Sequence, residues 1–318
     1  MSVAARTLGP MRGDLPPIFT RNELLCSGRS PQRIRSQLRR GTLVKISHGL
    51  YASAEVAAPI LARSDGPNLL AAGAALRRLG PDLAASHQTA AVIHGLDLLL
   101  RPDATVELTR PLGQGRRGLK PGVRLHVASL PAEHVTTRLG LRVTTVARTV
   151  VDLARAGEFR AGVVVADSAL RARQASKAEL QQMVIECRGW PGIATAAEAV
   201  EFADEKSESA LESIARALFR ECKLPPPELQ VWVGADDVVG RADFYWRQYA
   251  TIAEVDGALK YADPQEARRQ LRRDARLREA GFEVVHFDWY DITRRPEYVA
   301  GSVRAAFARG AGVPSVAG

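Results

Sequence analysis

The run TIAEVDGALKY, Thr251 to Tyr261, restricts the possible folds of this chain more than any other feature. Apolar residues alternate with Glu254 and Asp256 before the run breaks at Gly257. On a strand, successive side chains point to opposite faces. Both carboxylates therefore face one way, and Ala253 and Val255 face the other. Two acids on one face of an apolar central strand repel each other unless a cation compensates. Two readings stay open. One is a metal site; the other is a solvated strand end, where Asp256-Gly257 turns and Glu254 pairs with Arg241 or Lys260.

The flanking segments define the setting. SESALESIARALFREC has Leu211, Ile214, Ala215, Leu218 and Phe219 at helical spacing, with Glu208 and Glu212 four apart on one face. LPPPELQVWV, GRADFYW and YATIAEVDG read as three strands, the last two joined by a tight turn at Arg247 and Gln248. Reflection about that turn puts Asp243 roughly opposite Ile252 or Ala253, and so beside Glu254. DPQEARRQLRRDARLREAG reads as a long basic helix, capped by Asp263, with Pro264 at its first position and Gly281 past its end. FEVVHFDW is a further strand and RPEYVAGSVRAAFARG a last helix. A strand that follows a crossover helix builds a mixed sheet.

In this order and spacing, Ser207 to Arg309 resembles the endonuclease family related to the very-short-patch mismatch-repair nuclease, within the PD-(D/E)XK superfamily. The anchors are ESALESIARALFR, Gln230, RADFYW, EVDG, RRDARLREAGFEVVHF and DWYDI. Phosphodiester hydrolysis needs an activated water and stabilised charge on phosphorus. Mg²⁺ (or Mn²⁺) supplies both and prefers hard carboxylate oxygens. Asp243, Glu254 and the Val255 carbonyl are the candidate ligands, with Glu212 adding a direct or water-mediated one. Gln230 is placed to orient the water or a phosphate oxygen. The superfamily pattern has a lysine two residues after the acid. This chain has Asp256 there, and Lys260 is the candidate charge partner.

Near the other end, Thr20 and Glu23 have capping-box spacing, and Ser30-Pro31 opens a second helix that stops at Gly41. TLVKISHGLYAS then reads as a hairpin turning near Ser47 to Gly49. Helix, helix and two-stranded wing is the layout of a winged helix-turn-helix. FTRNELL, IRSQLRRGTLVKI and HGLYA resemble the N-terminal domain of the abortive-infection (AbiE-type) antitoxin family. The resemblance implies DNA reading by the second helix. Gln32, Arg33, Ser36 and Gln37 are the base-edge candidates, and Arg29, Arg39, Arg40 and Lys45 lie nearer phosphates. It also implies a toxin protein as an alternative partner.

The expected organisation is a mixed α/β chain. It comprises a flexible tail (1–17), a winged helix-turn-helix (18–60), an α+β middle region (65–200) resembling the antitoxin family, and a PD-(D/E)XK restriction-endonuclease-like domain (207–310). In the middle region LLAAGAALRRLG and AASHQTAAVIHGLDLLL read as helices, the second capped by Ser86. ATVELTRP and GVRLHVASLP alternate like strands, and LRVTTVARTVVDLARAG runs from strand into helix. His87 and His94 are seven apart and share a helical face, but no third ligand accompanies them. GQGRRG lies between strands, not between strand and helix, so it is no nucleotide fingerprint.

Bulk properties agree. The 318 residues carry a formal charge of +9, favouring a polyanionic partner. Three scattered cysteines argue against disulfides and paired-thiolate zinc. No apolar run reaches the roughly 20 residues of a bilayer span, and the first residues lack a signal-peptide core, so the expectation is cytoplasmic. The leading expectation is a bacterial, DNA-binding, Mg²⁺-dependent endonuclease. The alternative is an antitoxin-like transcriptional repressor with a silent nuclease fold.

Overall fold

The computed structural model describes residues 13–100, 103–113, 121–233, 240–256 and 264–311. It is a mixed α/β protein, with three separate sheets among the described residues. Lys260, Asp263 and most of GQGRRG lie outside the described residues.

The first unit runs β1 (Phe19–Thr20), α1 (Arg21–Cys26), α2 (Pro31–Arg39), β2 (Leu43–Ser47), β3 (Leu50–Ser53) and α3 (Ala54–Leu61). Local signals set its helix starts. The Thr20 hydroxyl accepts the Glu23 N–H at 3.1 Å while Glu23 accepts the Thr20 N–H at 2.8 Å. Ser30 caps α2 by accepting the Arg33 N–H at 3.1 Å. The β2–β3 hairpin closes through Gly49 at φ 74°, a left-handed conformation that favours glycine. Leu24, Ile34, Leu43 and Tyr51 form a small core between the helices and the antiparallel β1-β3-β2 sheet. Residues 13–17 are not a loose tail: Leu15 donates its N–H to Leu139 O at 3.1 Å, and Pro16 is buried.

The middle region contains α4 (Gly66–Leu79), β4 (Ala84–Ala85), α5 (His87–His94), β5 (Val106–Arg110), β6 (Val123–Val127), β7 (Val135–Arg138), β8 (Leu141–Thr144), α6 (Val146–Ala156), α7 (Phe159–Arg171), α8 (Lys177–Glu186) and α9 (Ile193–Phe202). Its sheet has the order β6-β5-β4-β8-β7, and β5 and β6 run parallel. Helix α5 ends at His94 because Gly95 turns left-handed, so LDLLL does not extend it. The two histidines serve different contacts. His87 stacks on His126 with ring centroids 3.7 Å apart, whereas His94 Nε2 meets Thr144 O at 2.7 Å. Burial holds His87 down at about 4, so it is neutral near pH 7.

The last region contains α10 (Ala210–Glu221), β9 (Glu228–Val233), β10 (Gly240–Trp246), β11 (Thr251–Asp256), α11 (Pro264–Glu279), β12 (Glu283–Asp288), α12 (Trp289–Arg294) and α13 (Pro296–Gly310). DWYDI therefore contributes a short helix of its own. The sheet order is β12-β11-β10-β9, antiparallel except for the β11–β12 pair that α11 connects. Helices α10, α12 and α13 cover one face around Phe219, Phe244, Trp246 and Phe287. Leu277 of α11 packs on the other face against Tyr245, Ile252 and Val284.

Residue 207 marks a change of sheet rather than a gap. Arg216 of α10 donates to both oxygens of buried Asp167 on α7 at 2.9 Å, and to Phe202 O.

Candidate functional site

The hairpin from β10 to β11 sets the geometry of the candidate site. Its connection is a 3-10 turn, Arg247–Tyr249, followed by Ala250 in a left-handed conformation. That is longer than a two-residue turn, and it shifts the expected register. Trp246 pairs with Thr251 and Phe244 with Ala253, so the same register carried one step further puts Asp243 level with Glu254. The recorded pairing stops at Phe244, and the Val255 N–H turns to Asp243 Oδ2 at 3.0 Å. The two strands part where the acids sit.

Gln230 lies opposite that point on the edge strand, with φ at +52°, a conformation non-glycine residues adopt rarely. Its Nε2 donates to Glu212 Oε2 at 2.9 Å and to Asp243 Oδ1 at 3.2 Å. Carboxylates only accept, which fixes the amide's orientation and leaves Oε1 buried with no hydrogen-bond partner. Glu212 is buried on the first turn of α10, which Ser209 caps. It also accepts the Glu208 N–H at 2.7 Å and the Ser209 hydroxyl at 2.8 Å. Burial first, and the neighbouring Asp243 charge second, push the Glu212 carboxyl above its usual range.

Glu254 faces the other side of the sheet. It is 3% exposed and accepts a two-bond fork from Arg273 of α11, at 3.0 and 2.6 Å. Burial pushes its carboxyl up, and the Arg273 guanidinium opposes that shift. The cation on Glu254 is thus Arg273, whereas Arg241 pairs with Glu208. Asp256 is 1% exposed and meets His286 Nδ1 at 3.0 Å and Gln270 Nε2 at 3.3 Å. His286 Nε2 meets Asp274 Oδ2 at 2.8 Å. Carboxylates on both ring nitrogens favour the doubly protonated form of His286. Burial works against that charge, but the bond to Asp256 and the Asp274 and Asp256 charges outweigh it and raise the pKa.

Arg273, Asp274, Gln270 and His286 were not singled out from the sequence. A signal existed, because parallel pairing of EVD with VHFD would have set His286 beside Glu254, as it is.

A hard divalent cation fits part of this constellation. Among the described residues no three His, Cys, Asp or Glu side chains converge into a group able to hold a metal. Two adjacent carboxylates, Glu212 and Asp243, nevertheless supply hard oxygens, and the Gln230 NH₂ bonds both of them. Mg²⁺ needs only one or two protein carboxylates and keeps several waters.

In the first unit, α2 presents Gln32, Arg33 and Arg39 to solvent, with Arg40 and Lys45 also exposed and only Ile34 buried. Arg29 is half-buried and bonds the Ser27 hydroxyl at 2.9 Å. Ser36 and Gln37 are half-buried, and Gln37 Oε1 has no partner.

Fold and site together define a mixed α/β protein in which buried Glu212 of α10 meets half-buried Asp243 where two strands of the last sheet part. No family model matches the chain. Two Mycobacterium tuberculosis proteins, the uncharacterized proteins MT2308 (strain CDC 1551 / Oshkosh) and Rv2248 (strain ATCC 25618 / H37Rv), are each 32% identical to it over 279 residues. The match covers 86% of this chain and 95% of each relative. The chain belongs to the family of these mycobacterial proteins. The crystal structure of RV2827C protein from M. tuberculosis is similar over 69% of this chain and 84% of its own, with 18% identity and a TM-score of 0.39. That level of likeness carries no argument about function. Among the described residues no helix is long and apolar enough to cross a membrane.

Proposed function

We propose that the protein is a DNA-directed, divalent-metal-dependent endonuclease of the PD-(D/E)XK type, positioned by an N-terminal winged helix-turn-helix. The observation that carries this reading is Gln230. A strained backbone brings one amide against two carboxylates, buried Glu212 and half-buried Asp243, and leaves its own oxygen unsatisfied among the described residues. Structures retain such strain and unpaired polarity mainly where a ligand repays them.

Glu212 and Asp243 are the residues that would hold the ion, with the Gln230 amide against both of them. When bound, Mg²⁺ or Mn²⁺ supplies an activated water and charge stabilisation at phosphorus. The chain's own part is to hold both carboxylates in place. The Val255 N–H fixes Asp243, and the Glu208 N–H and Ser209 hydroxyl fix Glu212. The exposed arginines of α11, Arg268, Arg272 and Arg276, give phosphates a basic approach.

Cleavage of supercoiled, linear and single-stranded DNA with Mg²⁺ or Mn²⁺ tests the reading. Wild type is expected to cut, and Asp243→Asn to lose at least a hundredfold in rate.

A second reading rests on the Arg273 fork, which already neutralises Glu254. In it the nuclease fold is silent, and the protein is an antitoxin-like repressor that binds DNA or a toxin partner. DNA binding without cutting, and without metal uptake by calorimetry, would decide for the repressor.

A further inference from the structure

The end of α9, one face of α10 and the connection into β9 enclose a cavity of about 400 Å³. Phe202, Phe219, Leu224 and Leu229 supply apolar wall, and residues 225–227, all proline, close one side. Arg216 and Arg220 are the cations of the lining. None of Glu212, Gln230 and Asp243 lines it. We propose that this cavity is a binding site for a planar aromatic acid, whose carboxylate takes the unpaired Nε–H of Arg216. The proposal does not rest on the endonuclease reading.

Arg216 is 7% exposed, and its bonds lock it into the wall. Nη2 donates to both oxygens of Asp167 at 2.9 Å, and Nη1 donates to Phe202 O at 2.8 Å. The guanidinium carbon lies 4.3 Å from the centroid of the Phe202 ring. Nε is left buried with no hydrogen-bond partner among the described residues. A buried guanidinium donor without a partner is costly, and native proteins meet such groups with water or with a ligand. Arg216 lines the cavity, so the cavity is where that acceptor enters.

The chemistry of the wall selects the ligand. Aromatic and proline surface favours a flat apolar ring, and a cavity near the lower end of the range for small-molecule sites suits one or two rings. Arg220 adds a second guanidinium, 4.6 Å from the Phe159 centroid and 5.4 Å from that of Phe202. A guanidinium N–H bonds a charged acceptor more strongly than a neutral one, which favours a carboxylate over an alcohol. Asp204 is the one carboxylate among the described lining residues, and it accepts the Lys206 N–H at 2.9 Å within its own loop. The walls are stiff before any ligand arrives. Proline fixes its own φ, Trp246 Nε1 donates to Pro225 O at 2.7 Å, and Arg216 is tied to α7 through Asp167. Such preorganisation lowers the cost of binding. Asp167 and Phe202 belong to the middle region and Arg216 to the last, so an occupied cavity braces the junction between them.

The full chain is titrated by calorimetry with sodium naphthoate, in EDTA and without DNA, and its melting temperature is read with and without the acid. Wild type is expected to bind a single naphthoate and to melt higher in its presence. Naphthylmethanol, a neutral molecule with the same rings, should bind roughly tenfold more weakly. Acetate, which has the charge and no ring, should not compete. Arg216→Lys keeps a cation for Asp167 but removes the Nε–H, and should weaken naphthoate binding about tenfold. Leu224→Phe fills the cavity with every charge in place, and should weaken binding by roughly tenfold or more. Ala178→Trp, in the separate cavity between α8 and β7, should bind naphthoate as wild type does. Melting of each variant without ligand identifies any that has unfolded. Should Arg216→Lys be one, Leu224→Phe and the naphthylmethanol comparison decide.

Absence of saturable naphthoate binding by folded wild type overturns the proposal. Equal affinity for naphthylmethanol also overturns it, because the Arg216 donor then selects nothing. Undiminished binding in folded Leu224→Phe overturns it as well, because the ring then sits elsewhere. The endonuclease reading is decided separately, by DNA cleavage.

Discussion

The Glu212–Asp243 pair makes a prediction of unusual sign: removing a buried charge should stabilise the metal-free protein. Glu212 Oε2 and Asp243 Oδ1 lie 2.9 and 3.2 Å from the same Gln230 nitrogen, so they stand no more than 6.1 Å apart. At that separation and an effective dielectric of about 20, two unit charges repel by roughly 3 kcal/mol. Glu212→Gln removes the repulsion while preserving the bonding pattern. The new amide oxygen keeps the Glu208 N–H and Gln230 contacts, and its NH₂ donates to the Ser209 hydroxyl. Weaker neutral hydrogen bonds give back about 1 kcal/mol. The net gain is about 1–2 kcal/mol, or roughly 2–6 °C in melting temperature. The assay is thermal unfolding in EDTA at pH 8, repeated with Mn²⁺. The sign of the pH dependence follows from linkage. An acid whose folded pKa is raised pays for ionising in the fold, so the cost is absent below its unfolded value near 4.5 and complete above the raised one. The advantage of the variant should therefore shrink as pH falls toward 4.5. In Mn²⁺ the order should reverse, because only wild type gains from the ion. A lower melting temperature for Glu212→Gln in EDTA, or equal stabilisation of both proteins by Mn²⁺, would refute the reasoning.

Three further outcomes follow from other contacts. Arg216→Met strands buried Asp167, which is 0% exposed, and should cost about 3–5 kcal/mol in urea unfolding, with Arg216→Met/Asp167→Asn recovering most of it. His286 has a raised folded pKa, so its contribution is complete below its unfolded value near 6.5 and is lost as pH climbs through the folded one. Urea midpoints from pH 6 to 9 should fall in wild type, and the fall should be shallower in His286→Gln. Arg33→Ala/Arg40→Ala, exposed on α2 and at its C-terminal cap, should lower DNA affinity and reduce the salt slope by roughly 2; unchanged affinity would rule out groove reading by this helix.

Elements with strong local chemistry were legible in the sequence. Ser30-Pro31 and Thr20 with Glu23 are capping signals complete within four residues, and each starts a helix where expected. The element order of the last region and its mixed sheet were also legible, because strand alternation and a crossover helix before the last strand leave few alternatives. The parallel pairing of β5 with β6 was not, since strand periodicity is the same for either direction. Nor was the β10–β11 register, which depends on the 3-10 turn and left-handed Ala250 rather than on any turn-forming residue. The partners of Glu254 and Asp256 were hidden for a simpler reason. Arg273 and His286 lie 19 and 30 residues away from them along the chain. In an arginine-rich helix, only the three-dimensional phase of α11 shows which arginine turns inward.

That phase also explains why Asp256 stands where the superfamily pattern has lysine. Arg273 and Asp274 are neighbours on α11, and both reach the buried side of the strand: one to Glu254, the other through His286 to Asp256. Aspartate at 256 is required by the imidazolium at 286, which in turn is required by Asp274. Restoring the lysine alone should therefore not restore a motif. Asp256→Lys would set an ammonium beside a protonated histidine and would remove the acceptor of Gln270. Breaking a buried charge network in this way costs about 3–5 kcal/mol. Urea unfolding at pH 6, where His286 is charged, should show the loss, and Asp256→Lys/His286→Gln should recover part of it by removing the facing cation. If Asp256→Lys alone were as stable as wild type and cut DNA faster, the charge at this site would belong on the strand, and Arg273 would be only its neighbour.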